Sequence, residues 1–384
     1  MPDDLMPDEK PIPFVDLVTQ RRRLGRAIEE AVARVTAHGR LILGPEVEAF
    51  EAELAAFCGA RHCVSCANGT DALMLVLRAQ GVGPGDAVIV PAFTFAATAE
   101  VVAGLNATPS FVDVREDTYA MGPDELEAGI AAARRLGLNL VAAMPVDMFG
   151  QPANYDALEP VAREAGIWLL ADAAQGFGGA LYGRRVGTFG CATGVSFYPS
   201  KPLGAYGDGG AVLTDDGALA ATLRSLRNHG DGAHPYEHVR IGVNSRLDAI
   251  QAAVLRAKLA IFPDEIAARS RAADYYSAGL AGLAALPRLA PGASSVWAQY
   301  TIRLPARDAL RAHLGAAGIP TAVHYPAPLH HQPAYRDYPS AAACLPVAER
   351  VAGEVVSLPM HAYLSEAVQD RIIEAVRSFA EAGA

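Results

Sequence analysis

The chain has no run of about eighteen apolar residues, so nothing in it reads as a membrane-spanning helix. It has no basic cluster longer than Arg21–Arg22–Arg23. With a formal charge of −10 it lacks the Lys/Arg surplus that phosphate backbones reward, which argues against a nucleic-acid surface. Cysteines number only five, an odd count that suits a reducing compartment better than a disulfide framework. Cys63 and Cys66 form a C-x-x-C, but no second pair follows at zinc-like spacing, and Cys63–Val64–Ser65–Cys66 reads as a short buried strand. His324, His330 and His331 lie close in sequence without a matching carboxylate or thiolate pattern, so no metal is expected. There is no G-x-x-x-x-G-K-[ST], and no G-x-G-x-x-G follows a strand, so nucleoside-triphosphate and dinucleotide readings lose their main support. Met1 to Pro11 is acidic and proline-containing, unlike a signal peptide, and reads as a flexible tail on a cytoplasmic protein.

What remains is an ordinary globular composition, 51% hydrophobic and 19% charged over 384 residues, long enough for a large core. From about residue 60 to 215, short apolar runs alternate with helical stretches. The runs are Ala87–Pro91, Pro109–Val114, Leu140–Val146, Ile167–Asp172 and Gly194–Phe197. They are almost continuously apolar, as parallel strands covered by helices on both faces should be. That predicts an α/β fold with a mostly parallel sheet over residues 12–245. Arg246 to Phe262, free of Gly and Pro, predicts a long helix within a bridging region at 246–290. Strand signals at Val296–Leu304 and helical stretches at Ala306–Ala317 and Ser365–Ala380 predict a smaller α+β domain over 291–384.

The stretch Ser196–Phe197–Tyr198–Pro199–Ser200–Lys201–Pro202–Leu203–Gly204 puts a lysine just past a buried strand, on a loop punctuated by Pro and Gly. Partial desolvation there would lower the amine's pKa and let it attack a carbonyl. Most lysines are solvated surface groups, so Lys201 alone says little. Asp172 adds weight, because it ends the apolar strand Ile167–Ala171 at the edge where open parallel sheets bind ligands. A carboxylate buried there needs a cationic partner, which the pyridinium nitrogen of pyridoxal phosphate (PLP) supplies. Asp172 could instead cap the stretch after it. Asn68–Gly69–Thr70–Asp71 opens a helix whose N-terminus can cradle a phosphate, although Asn68 or Thr70 could be a plain N-cap. Phe93–Thr94–Phe95 follows another strand end, where an aromatic can stack on a planar ring or simply pack in the core.

In this order, and together with Ile42–Pro45, Asp172–Gln175, Gly207–Gly210 and Asn244–Asp248, these stretches resemble the DegT/DnrJ/StrS family of nucleotide-sugar aminotransferases over nearly the whole chain. The resemblance implies PLP fold type I, a homodimer with shared active sites, and PLP as cofactor. It matches Lys201 to the Schiff-base lysine, Asp172 to the pyridinium partner, Gln175 to a residue near the ring hydroxyl, and Phe95 to the aromatic over the ring. Ser196, Gly69 and Thr70 match phosphate ligands, and Asn244 a phosphate ligand given by the other subunit; Asn244 could equally cap the bridging helix. Within the family, Pro145–Pro152, Val239–Gly242, Val296–Thr301 and Ile319–Pro326 are most similar to enzymes that install the 3-amino group of UDP-2,3-diamino-2,3-dideoxyglucuronic acids. Many members carry His where Asp147 stands, a departure that bears on sugar preference. Arg246, His324 and Tyr325 match positions near the sugar, and Arg246 would suit a uronate carboxylate unless it pairs with Asp248 or a helix neighbour. The expected reaction is amino transfer from L-glutamate to a nucleotide-linked keto sugar. A 4-keto-6-deoxy acceptor, a sugar dehydratase and a non-catalytic PLP-binding regulator remain alternatives.

Overall fold

A computed structural model describes residues 11–382; of the tail expected over 1–11, residues 1–10 lie outside the described residues. The central sheet has seven strands: β1 (His62–Cys66), β2 (Asp86–Pro91), β3 (Thr108–Val112), β4 (Asn139–Ala143), β5 (Trp168–Asp172), β6 (Ala192–Ser196) and β7 (Gly210–Thr214). Their spatial order is β1-β7-β6-β5-β4-β2-β3. Six run parallel, and β7 is antiparallel between β1 and β6.

Why the strands read as unbroken apolar runs is visible in where successive side chains go. Leu169 and Ala171 enter the core on one face of the sheet, while Leu170 between them enters the core on the other. Ile89 and its neighbours Val88 and Val90 divide the same way. Both faces are buried, so both register positions favour apolar residues, and each such side chain adds roughly 1.5–3 kcal/mol of burial.

Parallel strands end on the same edge. The chain therefore leaves the sheet after Cys66, Pro91, Asp172 and Ser196 on one side, and the loops that carry Gly69, Phe95, Gln175 and Lys201 start there. Register tightens the grouping: Asp172 lies opposite Gly194, and beyond the end of β4 Val146 still pairs with Asp172. Helix α1 (Gly69–Ala79) follows β1, and the short helix α2 (Ala97–Ala103) follows β2.

Helix α3 (Ala249–Gly279) departs from the expected bridge at both ends. It starts three residues later than Arg246, with Asp248 at its N-cap, so Asn244 does not cap it. It also runs straight through Pro263 to Gly279. A proline inside a helix costs about 3 kcal/mol, but both halves are anchored. Phe262 is fully buried against Phe57 and Phe177, and Tyr276 is fully buried against Tyr300. Tertiary packing overrides the local break.

Tyr276 belongs to a further apolar cluster with Ile12, Trp297, Leu310 and Ile372. Around it pack helices α4 (Arg307–Ala316) and α6 (Glu366–Ala382) and the antiparallel pair β8 (Tyr300–Arg303) and β9 (Val355–Leu358), with α5 (Pro346–Glu354) leading into β9. Among the described residues no helix is long and apolar enough to cross a membrane.

Candidate active site

Asp172 is 4% exposed and its carboxylate is held from two sides. Thr98 donates its hydroxyl to Oδ2 at 2.8 Å, and the Ala174 N–H reaches Oδ1 at 3.2 Å. Burial nevertheless pushes the Asp172 carboxyl above the usual carboxylate range, with Thr98, Ala174 and the Lys201 charge pulling the other way. Lys201 mirrors it: burial lowers its pKa, and the Asp172 charge opposes the shift. Two groups that are both ionised in water thus face each other in a place that disfavours charge. Thr98 carried no signal in the sequence. It sits in an Ala/Thr stretch, and only the turn of α2 back onto β5 brings it to Asp172.

The turn after β1 is equally specific. Asn68 accepts the Asp71 N–H at 2.8 Å and so caps α1, which leaves the N–H groups beside it for another partner. The N–H groups of Gly69 and Thr70 have no partner among the described residues. A Cβ on Gly69 would stand 2.5 Å from the Ser196 Cβ, so only glycine lets the helix start meet the Ser196 hydroxyl. Gly210 is under a similar constraint, since a Cβ there would lie 2.2 Å from the Asn68 carbonyl oxygen. Ser245, fully buried, donates to Asp71 at 2.7 Å and accepts the Ala67 N–H at 3.2 Å, bracing the turn from behind.

Between these two groups lies an aromatic face. Gln175 accepts the Phe149 N–H at 2.8 Å and donates to the Tyr325 hydroxyl at 3.0 Å. Phe95 is 57% exposed with its ring 6.0 Å from that of Tyr325, whereas Phe93 is buried against Tyr119, Phe149 and Tyr325. Phe95 is the ring free to stack, and Phe93 is core. His324 is half-buried and near enough to Lys201 to feel its charge. Burial first, and that charge second, push its pKa down to about 4. A desolvated carboxylate, a desolvated amine, free helix N–H groups and an open ring face fit one phosphorylated, planar, basic-nitrogen heterocycle.

The sequence profile of the DegT/DnrJ/EryC1/StrS aminotransferase family matches residues 22–377. The chain belongs to that family. It is 48% identical over 357 residues to the UDP-2-acetamido-2-deoxy-3-oxo-D-glucuronate aminotransferase of Pseudomonas aeruginosa, covering 93% of this chain and 97% of that relative. Its fold matches a DegT DnrJ EryC1 StrS aminotransferase from Brucella abortus with a TM-score of 0.94 and 50% identity, over 96% of this chain and 99% of that one. NtdA from Bacillus subtilis, solved with bound cofactor PMP, matches with a TM-score of 0.86 and 26% identity, over 98% and 86% of the two chains.

Four residues of this aminotransferase sit differently from what the sequence led us to expect. Arg246 pairs with neither Asp248 nor a helix neighbour; its Nη1 donates to Asn228 at 2.7 Å. His330 and His331 do meet a carboxylate: Glu349, on α5, lies 3.1 and 3.5 Å from their Nε2 atoms. Glu349 also accepts the Leu345 N–H at 3.0 Å, and its distance along the chain hid it. Asp147 is fully buried. Its Oδ1 accepts the Tyr155 hydroxyl at 2.7 Å and the Ala153 N–H at 3.0 Å, and its own N–H donates to the Asp172 carbonyl at 3.0 Å. It braces the turn behind Asp172.

Burial pushes the Asp147 carboxyl up to about 7 from 3.8, with the Asp172 charge adding to the rise. Its Oδ2 has no partner among the described residues. The folded chain therefore binds this proton more tightly than the unfolded chain between about pH 4 and 7, and stability falls as pH rises through that window. Asp147→Asn keeps both accepted bonds without the charge. Its stability relative to wild type is expected to rise from pH 4 to 7 by up to about 4 kcal/mol and to level off above. Urea unfolding of both proteins across that range checks this; a difference that does not change with pH would show that Asp147 stays ionised throughout.

Proposed function

We propose that this enzyme transfers the amino group of L-glutamate to a nucleotide-linked keto sugar through PLP carried on Lys201, the acceptor being UDP-2-acetamido-2-deoxy-3-oxo-D-glucuronate. The observation that carries the reading is the facing pair of Lys201 and Asp172, each displaced toward neutrality by burial, beside unpartnered N–H groups at the start of α1. When bound, PLP supplies a carbonyl that exchanges amines and a ring that accepts electrons. Lys201, with its lowered pKa, is suited to bond that carbonyl and, once released, to move a proton at the donor's α-carbon. Asp172 holds the ring-nitrogen proton, and Thr98 fixes the carboxylate's aim. Gly69, Thr70 and Ser196 bind the phosphate, Phe95 covers the ring, and Gln175 with Tyr325 flanks its hydroxyl side.

The acceptor is inferred from the Pseudomonas relative and from Arg246 as a clamp for the uronate carboxylate. Asn244 is exposed while Ser245 beside it is buried, which suits a homodimer in which Asn244 completes the partner's phosphate site. Five free cysteines agree with a cytoplasmic setting.

Borohydride reduction of the yellow protein is expected to fix the cofactor on Lys201, read by peptide mapping; a label on any other lysine sinks the assignment. Mixing inactive Lys201→Ala with inactive Asn244→Ala subunits should return up to about a quarter of wild-type activity, because half of the dimers then carry one intact site. No recovery despite proven subunit exchange would return Asn244 to its own chain. With glutamate as donor, the 3-oxo-uronate should be aminated at least tenfold faster than a 4-keto-6-deoxy sugar, and Arg246→Ala should erase most of that preference, since an unpaired arginine discriminates by a few kcal/mol. Faster amination of the 4-keto-6-deoxy sugar would leave the chemistry standing and the acceptor wrong.

A further inference from the structure

Strands β8 and β9 place Thr301 directly opposite Ser357. Both side chains are fully buried, and their hydroxyl oxygens are 2.9 Å apart. The Ser357 hydroxyl is also 3.0 Å from Nδ1 of His324. The segment before His324 is fixed alongside: Ala322 and Ser357 exchange backbone bonds of 3.2 and 2.8 Å.

Counting hydrogens gives the chain of contacts a direction. Each hydroxyl has one hydrogen to donate. Among the described residues the Thr301 hydroxyl has no partner except Ser357, and a buried donor without an acceptor is costly. Thr301 therefore donates to Ser357. Ser357 is left with one hydrogen and one neighbour still unserved, Nδ1 of His324, so it donates there. Nδ1 must then carry a lone pair, and the ring proton of neutral His324 sits on Nε2. In the opposite direction, His324 would donate to Ser357 and Ser357 to Thr301, stranding the Thr301 hydrogen in the core. A doubly protonated ring would impose that same reversal, in line with the low pKa of His324.

We propose that the buried Thr301–Ser357 relay fixes His324 as a neutral Nε2–H donor toward the keto sugar, with Ser357 as its positioning residue. The proposal rests on the reading of the cleft as a nucleotide-sugar site. It also narrows the contact: an uncharged N–H recognises a hydroxyl, carbonyl or amide oxygen of the sugar and supplies no counter-charge to a carboxylate.

The test uses the holoenzyme labelled with [15N]histidine, the His324 ring signals being assigned by their loss in His324→Gln. Long-range proton–nitrogen correlations are expected to show a lone-pair nitrogen at Nδ1 and a protonated one at Nε2, unchanged from pH 8 to pH 5. The reverse tautomer, or a charged ring at neutral pH, overturns the relay without reference to any variant. Ser357→Ala should turn the single tautomer into a mixture and raise KM for the keto sugar roughly tenfold, the loss of one aligned hydrogen bond. KM for glutamate should move less than twofold, and Ser357→Thr should restore both readings. Equal rises in both KM values would reduce Ser357 to a structural role. The tautomer signals test the relay alone: if they appear as expected in an enzyme that turns over no keto sugar, the substrate-facing half of the proposal fails and the relay remains.

Discussion

A single buried carboxylate organises this molecule. Asp172 ends a strand whose other residues are apolar and covered on both faces, so it can be reached only from the carboxyl edge of the sheet. Leaving such a group ionised and unpaired costs several kcal/mol. Two hydrogen bonds, from Thr98 and from Ala174, meet part of that cost, and the pKa stays raised. The unmet part is what a cationic ring nitrogen would satisfy. The protein is thus built with an electrostatic deficit at one point, and the surrounding turns hold that point still.

The same logic explains how the supports are layered. Gln175, three residues on, is tied to the backbone of Phe149, and the turn that holds Phe149 is closed by Asp147 with Tyr155 and Ala153. The Asp147 N–H then returns to the Asp172 carbonyl. Two adjacent loops at the sheet edge brace one another through polar groups that water does not reach, which fixes their geometry more firmly than loop backbone alone would.

How much of this was legible in the sequence follows from the range of each signal. Strands covered on both faces announce themselves as apolar runs, so six of the seven were readable to within a residue or two at most ends, while β7 was not read as a strand. Lys201 and Asp172 stood out because each breaks an apolar or Pro/Gly-punctuated context next to a strand end. Thr98, Ser245 and Ser357 did not, since a small hydroxyl residue looks the same whether it faces water or a buried carboxylate. Their partners lie 74, 174 and 33 residues away. Glu349 was hidden from His330 for the same reason. The path of α3 through Pro263 failed differently: the local penalty was read correctly, and the packing of Phe262 and Tyr276 outweighed it.

The active-site charges also place a limit on how the cleft can recognise its substrate. Lys201 and Asp172 are already desolvated, and a third ionised group close by would shift both of them. His324, which feels the Lys201 charge, is kept neutral by burial and by that charge. Tyr325 and Gln175, next to it, are uncharged as well, and burial raises the Tyr325 pKa further. Near the reacting amine the lining therefore offers neutral donors and acceptors. Arg246 stands half-buried on the same stretch of chain as the exposed Asn244, its guanidinium on Asn228. A keto sugar fits such a lining, with its reacting carbon among neutral groups. Neutral neighbours add little to the burial that has already lowered the pKa of Lys201, so the amine stays able to take up a proton as well as release one.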